Sequence, residues 1–262
     1  MPADARRPVK YDRPPVVEVA CGVNFNLERP LKSGHIGLYW AKVADQFPRC
    51  EDAIPIAPIV ESASPSSSVQ WELFDLPDLR RTWLLNAEGT HLIQLQADRF
   101  IYNWKRVQSN ATYPSYQQVI AGFKKQWELY KGFLVEHGLG EPTPVQLDLT
   151  YFNILTGLPS YFRDHVRVRD EGRFLPEPEA VNWRSQYLLP ENAGRLHVSA
   201  VTALDTNSGK QVIRLDVLAR GLPKDASESG CAAWFDMAHE WITQGFTDLT
   251  TPEAHALWGR TA

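Results

Sequence analysis

Cysteine is scarce in this sequence, with three residues among 262. Cys21, Cys50 and Cys231 are odd in number, and none of them belongs to a CxxC pair. Disulfide scaffolds and structural zinc sites use paired cysteines at short spacings, so the sequence indicates neither. This cysteine usage is typical of a reducing compartment, and we expect a cytoplasmic protein.

Long hydrophobic runs are also missing. The longest uncharged apolar run, Ala53 to Val60, has eight residues and includes Pro55 and Pro58. A bilayer-spanning helix needs roughly 20 apolar residues, and a secretory signal needs an apolar core that Met1 to Arg13 do not provide. We therefore expect neither a membrane partner nor export.

Neither sign of charge dominates. The 27 Lys and Arg residues against 31 Asp and Glu residues give a formal net charge of −4. A balance of this kind provides no overall attraction to a phosphate backbone, so nucleic acid remains a partner that the net charge does not favour. The nucleotide-binding patterns GxxxxGK[ST] and GxGxxG and the hydrolase pattern GxSxG do not occur.

The predicted elements occur twice in the same order. An alternating strand begins after Pro15, another begins after Pro144, and each is followed by a connection, a hairpin and a long amphipathic helix. The sequence therefore predicts an α+β fold of two pseudo-repeats of antiparallel strands, with both helices on one face of the sheet. We expect an N-terminal arm over residues 1–13 and pseudo-repeats over residues 14–140 and 141–262, packed as one globular unit.

Apolar residues at intervals of three and four predict the two long helices, over Pro114 to His137 and Ala226 to Gly245. Trp127 and Trp241 are expected on their buried faces. The serine-rich segment Ser62 to Ser68 is too polar to pack and is predicted to be an exposed loop.

The segment His91 to Trp104 combines aromatic and polar residues. Read as one strand, it places Phe100, Tyr102 and Trp104 on a polar face, where flat rings could stack on a ligand beside Arg99. Alternatively, the chain bends at Ala97-Asp98 and buries these aromatic rings in the core. The candidate ligand-binding residues are Arg99, Tyr102, Asn103 and Trp104, on the sheet face that the two helices leave uncovered.

Two further groups of residues are candidates for a catalytic or metal site. Asp236 and His239 share one helical face, which suggests a metal or acid-base site, or a surface histidine hydrogen-bonded to aspartate. Cys231 has no nearby base in the sequence and shares an apolar stripe, which favours a buried thiol over a nucleophile. We therefore predict no catalytic residue, no metal site and no cofactor.

Several stretches together resemble a sporadically distributed family of uncharacterised bacterial proteins of similar length. The matching stretches are Pro14-Pro15-Val16-Val17-Glu18-Val19 with Phe25, Gln94 to Phe100 with Asn103-Trp104, and His239-Glu240 with Phe246, Leu249-Thr250 and Trp258-Gly259. That family is defined by sequence alone, so the resemblance implies no activity, cofactor or site residue.

The aromatic surplus without a catalytic arrangement favours a non-catalytic cytoplasmic binding or interaction protein, with a protein or a small molecule as its partner. The alternative is a nucleic-acid-binding protein or nuclease that uses the sheet face as a cradle, with His239 or His197 as general base.

Overall fold

The structure is a computed structural model that describes residues 9–57, 61, 80–108, 111–157, 162–167, 178–205 and 208–261. The predicted loop Ser62 to Ser68 lies outside the described residues. The described elements form a mixed α+β fold built on one open antiparallel sheet, which confirms the predicted α+β class.

Within the described part of the chain, nine strands form the sheet, and every neighbouring pair is antiparallel. They are β1 (Val16–Asn26), β2 (Arg49–Ala53), β3 (Arg81–Leu85), β4 (His91–Gln96), β5 (Arg99–Lys105), β6 (Thr143–Leu155), β7 (Asn182–Leu188), β8 (Arg195–Leu204) and β9 (Gln211–Gly221). Their order across the sheet is β2-β3-β4-β5-β1-β6-β9-β8-β7. The two strands that begin the two halves of the chain, β1 and β6, therefore lie side by side at its centre.

Five α-helices accompany the sheet within the described residues. They are α1 (Ser33–Val43), α2 (Tyr116–Glu136), α3 (Phe162–His165), α4 (Glu228–Leu249) and α5 (Pro252–Leu257). The long helices begin where serine side chains accept hydrogen bonds from free backbone N–H groups, Ser115 from Gln118 and Ser227 from Gly230. The second long helix extends four residues past the predicted end at Gly245.

The strand register gives the sheet two different faces. On the apolar face, Cys21 of β1 lies between Tyr102 of β5 and Leu149 of β6, and Val23 lies opposite Phe100. The polar face presents the intervening residues, among them Glu18, Gln94, Arg99, Asn103 and Asp148. The alternation follows from the two-residue period of a strand.

Helix α2 packs against the apolar face, and helix α4 contacts both α2 and the sheet. Phe123 of α2 contacts Phe100 on the sheet, with ring centroids 6.2 Å apart, and Phe235 of α4, at 5.1 Å. Trp127 is buried, as predicted, whereas Trp241 is only partly buried at the edge of the core. The apolar residues of α2 and α4 belong to the same hydrophobic core as those of the sheet.

The last residues of the N-terminal arm are hydrogen-bonded to the segment that follows α5. Tyr11 forms a bridge with Arg260, and the backbone N–H groups of Asp12 and Arg13 donate to the carbonyls of Gly259 and Trp258, at 3.1 and 3.0 Å. The described part of the arm is thus a fixed part of the fold.

Candidate functional site

The four predicted ligand-binding residues lie on opposite faces of the sheet. The segment His91 to Trp104 is two strands joined by a tight turn at Ala97-Asp98, so the continuous-strand interpretation is wrong. Gln96 pairs directly with Arg99 across this turn, which shifts the alternation by one residue. Arg99 and Asn103 therefore face the polar side with Gln94 and Gln96.

Tyr102 and Trp104 belong to the core. Both are buried on the apolar face, where Tyr102 lies beneath α2 at Gly122 and Trp104 packs edge-on against Tyr113. Since they point away from Arg99 and Asn103, the four residues cannot form one site. This is the second of the two alternatives that the sequence left open.

Around Arg99 the polar face contains a cavity of about 290 Å³, here called the Arg99 basin. Every residue that lines it lies on a strand except Ile56. Its polar and charged lining residues are Glu18, Arg81, Gln94, Arg99, Asn103, Lys105, Asp148, Thr150 and Arg220.

A chain of hydrogen bonds crosses the floor of the Arg99 basin. Gln94 accepts from Arg81 at 3.1 Å and from the Trp83 indole at 3.2 Å, and it donates to Asn103 at 2.8 Å. Asn103 in turn donates to the carboxylate of Glu18. With both ends of its amide paired and 1% of its surface exposed, Asn103 holds neighbouring strands together. Its replacement by Ala would leave the buried Gln94 amide and the Glu18 carboxylate without this partner, so we expect Asn103→Ala to destabilise the protein.

Unlike Asn103, Arg99 lacks hydrogen-bond partners for its side chain within the described part of the chain, and little negative charge lies near its guanidinium group. Only 4% of its surface is exposed, its Nε has no hydrogen-bond partner among the described residues, and the nearest carboxylate oxygen, on Asp98, is 4.0 Å away. Asp148 is already engaged by Arg220 through two hydrogen bonds of 2.8 Å. Arg99 is therefore a buried cation with free donor capacity beside a cavity.

The pKa shifts of the charged residues in the Arg99 basin reflect the same shortage of negative charge around Arg99. Burial lowers the pKa of Arg99, against the opposing effect of Asp98 and Asp148. Burial also lowers the pKa of Arg81, and the positive charge of Arg99 adds to this effect. Burial raises the pKa of Glu18, although Lys105 and Asn103 oppose the rise. Two guanidinium groups that destabilise each other would both gain from a bound anion.

Aromatic rings also occur on the polar face, at positions that the sequence did not single out. Trp83 and Phe152 line the Arg99 basin, with Arg81 and Lys105 over the Trp83 ring at 5.3 and 5.8 Å. Arg214 lies 5.2 Å from the centre of the Phe152 ring. A turn predicted at Ala97-Asp98 would have revealed this polar surface from the sequence. The position of that turn determines which residues of β3 and β4 lie on the same face as Arg99.

The histidine and cysteine on α4 have other partners than the sequence suggested. Asp236 accepts a hydrogen bond from Tyr116 at 2.9 Å, while His239 Nδ1 is 3.0 Å from the Tyr151 hydroxyl. The surface pairing of Asp236 with His239 is therefore not formed. Cys231 is partly buried, and burial raises the pKa of its thiol. Among the described residues, no group of three or more His, Cys, Asp or Glu side chains could hold a metal ion.

The second general-base candidate, His197, lies on the polar face away from the Arg99 basin. Its Nε2 is 2.8 Å from a carboxylate oxygen of Glu61. The other oxygen of Glu61 accepts a hydrogen bond from Arg195. His197 and Arg195 thus share one carboxylate.

No helix within the described ranges combines the length and apolar character needed to span a bilayer. Comparison of the chain with known proteins found no matching family model, no matching curated protein and no matching solved structure.

Proposed function

We propose that this chain is a non-catalytic cytoplasmic binding protein that takes an anionic ligand, a carboxylate or a phosphate, in the Arg99 basin. The observation that supports the proposal most is the Arg99 guanidinium, which is buried beside a cavity with an unpartnered Nε. A ligand oxygen there would complete the hydrogen bonds of Arg99 and offset the cost of its burial.

The surroundings of Arg99 fit an anion of small size. Arg81 and Lys105 line the same cavity, and the Glu18 carboxylate is held by Asn103. Because Arg220 and Asp148 neutralise each other, the remaining charge of the Arg99 basin is positive. Bidentate pairing with a guanidinium is the geometry that carboxylates and phosphates prefer.

The test is a titration of the full-length protein with inorganic phosphate and with citrate, followed by thermal unfolding and calorimetry. At about ten times Kd, a bound anion should raise the free energy of unfolding by about 1.4 kcal/mol. Arg99→Gln should weaken binding by about tenfold or more, since the charged donor is lost. Arg49→Gln provides the matched control, because Arg49 is an exposed arginine of the same sheet that does not line the cavity.

Sodium chloride at equal ionic strength separates site binding from general screening. The proposal fails if neither anion binds beyond the chloride effect. It also fails if Arg99→Gln binds as the wild type does.

Nucleic-acid binding is the second candidate, supported by the rings of Trp83 and Phe152 with cations placed over them. Exposed rings beside Arg and Lys can stack on bases of single strands. Labelled RNA and DNA, incubated with and without Mg²⁺, should then show a salt-sensitive mobility shift or cleavage that Trp83→Ala abolishes. If the strands are neither shifted nor cleaved while the protein binds an anion, nucleic-acid binding is excluded and anion binding is retained.

We also propose that the two halves are pseudo-repeats with both long helices on one face. The central strands of the sheet are β1 and β6. Strands β5, β4 and β3 follow outward from β1, and strands β9, β8 and β7 follow outward from β6. Helix α2 follows β5 in the chain as α4 follows β9. Membership of the uncharacterised bacterial family is likewise a proposal, supported by the matching stretches of sequence alone.

A further inference from the structure

A second and larger cavity, of about 490 Å³, lies on the other side of the sheet from the Arg99 basin. We call it the Tyr151 pocket. It opens between the N-terminal arm, the first turn of α2, β6 and the second half of α4. Its aromatic and polar lining residues are Tyr11, Tyr113, Ser115, Tyr116, Gln117, Tyr151, Asn153, His239, Thr243 and Phe246, with the exposed charged residues Lys10 and Asp12.

A network of hydrogen-bonded rings forms one wall of the Tyr151 pocket. The Tyr151 hydroxyl is 2.9 Å from that of Tyr113 and 3.0 Å from His239 Nδ1. The imidazole of His239 stacks on the ring of Tyr116, with centroids 3.9 Å apart and planes within 5°. Tyr116 is fixed in turn by its hydrogen bond to Asp236. These contacts hold the rings in place before any ligand arrives.

The inner wall of the Tyr151 pocket is uncharged at neutral pH. Burial lowers the pKa of His239 to about 4, with the Asp236 carboxylate opposing the shift. Burial raises the pKa of Tyr113 and of Tyr151 far above neutrality. The tyrosines are therefore protonated and the imidazole is neutral, so the rings of this wall carry no charge, which favours an uncharged ligand against them.

Two polar atoms in this wall lack partners. Asn153 is 2% exposed, and its Nδ2 donates to the backbone oxygens of Leu215 and Tyr151, at 2.9 and 3.4 Å. Because both partners are acceptors, the amide orientation is determined and Oδ1 is the free end. Neither Asn153 Oδ1 nor His239 Nε2 is hydrogen-bonded to any described residue. An acceptor on a cavity wall that has no protein partner is available to the donor group of a ligand.

We propose that the Tyr151 pocket is a second binding site, for an uncharged planar aromatic compound that donates a hydrogen bond to Asn153 Oδ1. The ring of the ligand packs among the tyrosines and Phe246, and the donor group of the ligand reaches Asn153 Oδ1. This site uses neither Arg99 nor the polar face, so it does not depend on the anion site. Its volume lies in the range of small-molecule pockets.

Indole and N-methylindole are the probes, because they differ only at the ring nitrogen, where a methyl group replaces the N–H donor. Ligand-observed saturation-transfer NMR and calorimetry on the full-length wild type should show that indole binds about tenfold more tightly than N-methylindole. Asn153→Leu should remove this preference, since it deletes the acceptor and keeps the volume.

A second variant keeps the test decisive if Asn153→Leu does not fold. Thr243 lines the Tyr151 pocket and is partly exposed, so Thr243→Trp should fill the cavity and weaken indole binding by about tenfold or more. Glu240→Trp places the same side chain on the exposed surface of α4 and should leave indole binding unchanged. The proposal is overturned if indole does not bind, if both probes bind equally to the wild type, or if Thr243→Trp binds indole as Glu240→Trp does.

Discussion

At the scale of single residues, His239 shows how burial sets a charge state. The ring is stacked on Tyr116 and hydrogen-bonded to Tyr151, and burial lowers its pKa from 6.5 to about 4. An unfolded chain would bind a proton at this histidine near pH 6.5, whereas the folded chain resists until about pH 4. The favourable contribution to stability is therefore complete above pH 6.5 and is lost as the pH falls towards 4.

We predict that His239→Gln reduces the pH dependence of unfolding in this window. The wild type should lose up to about 3 kcal/mol more than the variant between pH 6.5 and 4, less any screening at the partly exposed ring. Urea unfolding at a series of pH values provides the measurement. His137→Gln, at an exposed histidine, should follow the wild-type curve. Parallel curves for wild type and His239→Gln would contradict this assignment.

At the scale of elements, the close packing of helix α2 on the sheet depends on one glycine. A Cβ atom at Gly122 would lie 2.6 Å from the Tyr102 hydroxyl oxygen and 2.8 and 2.9 Å from two of its ring carbons. Tyr102 is itself buried on β5 and has little room to turn away. The small residue lets the helix approach a strand that presents large aromatic rings.

Gly122→Ala should therefore destabilise the protein by about 1 to 3 kcal/mol, the usual cost of overpacking. Gly132→Ala on the same helix meets no atom within 4 Å and should stabilise the protein by up to about 1 kcal/mol through helix propensity. Chemical denaturation of both variants gives the comparison. Equal effects of the two changes would show that α2 does not sit on Tyr102 as described.

At the scale of the whole molecule, one sheet joins the two halves. Strand β1 pairs with β5 of its own half and with β6 of the other, from Val16 opposite Asn153 to Asn26 opposite Thr143. The helices meet as well, through Phe123 and Phe235. A separated half would expose a long strand edge and an apolar helix flank to water.

Residues 1–140 and 141–262, produced separately, should therefore lack cooperative unfolding and should regain it when they are mixed. Circular dichroism during heating and size-exclusion chromatography would measure this. A cooperative transition from either half alone would mean that the halves are independent domains.

Part of this architecture was predictable from local patterns. The alternation after Pro15 and Pro144 predicted β1 and β6, and the helical periodicity predicted α2 and α4 within a few residues. The short edge strands β2 and β7 were not predicted, because mostly exposed strands leave little hydrophobic periodicity to read.

The sequence by itself determined the α+β class and the long helices, since local periodicity encodes which side of an element is buried. Only the tertiary structure decided that Tyr102 and Trp104 face the core, because a turn at Ala97-Asp98 reverses the strand and shifts its alternation. Only the tertiary structure brought Tyr151, Asn153 and His239 into one pocket, because these residues meet through strand pairing and helix packing across long separations in the chain. Contacts of that kind depend on the three-dimensional path of the chain, which no local pattern specifies.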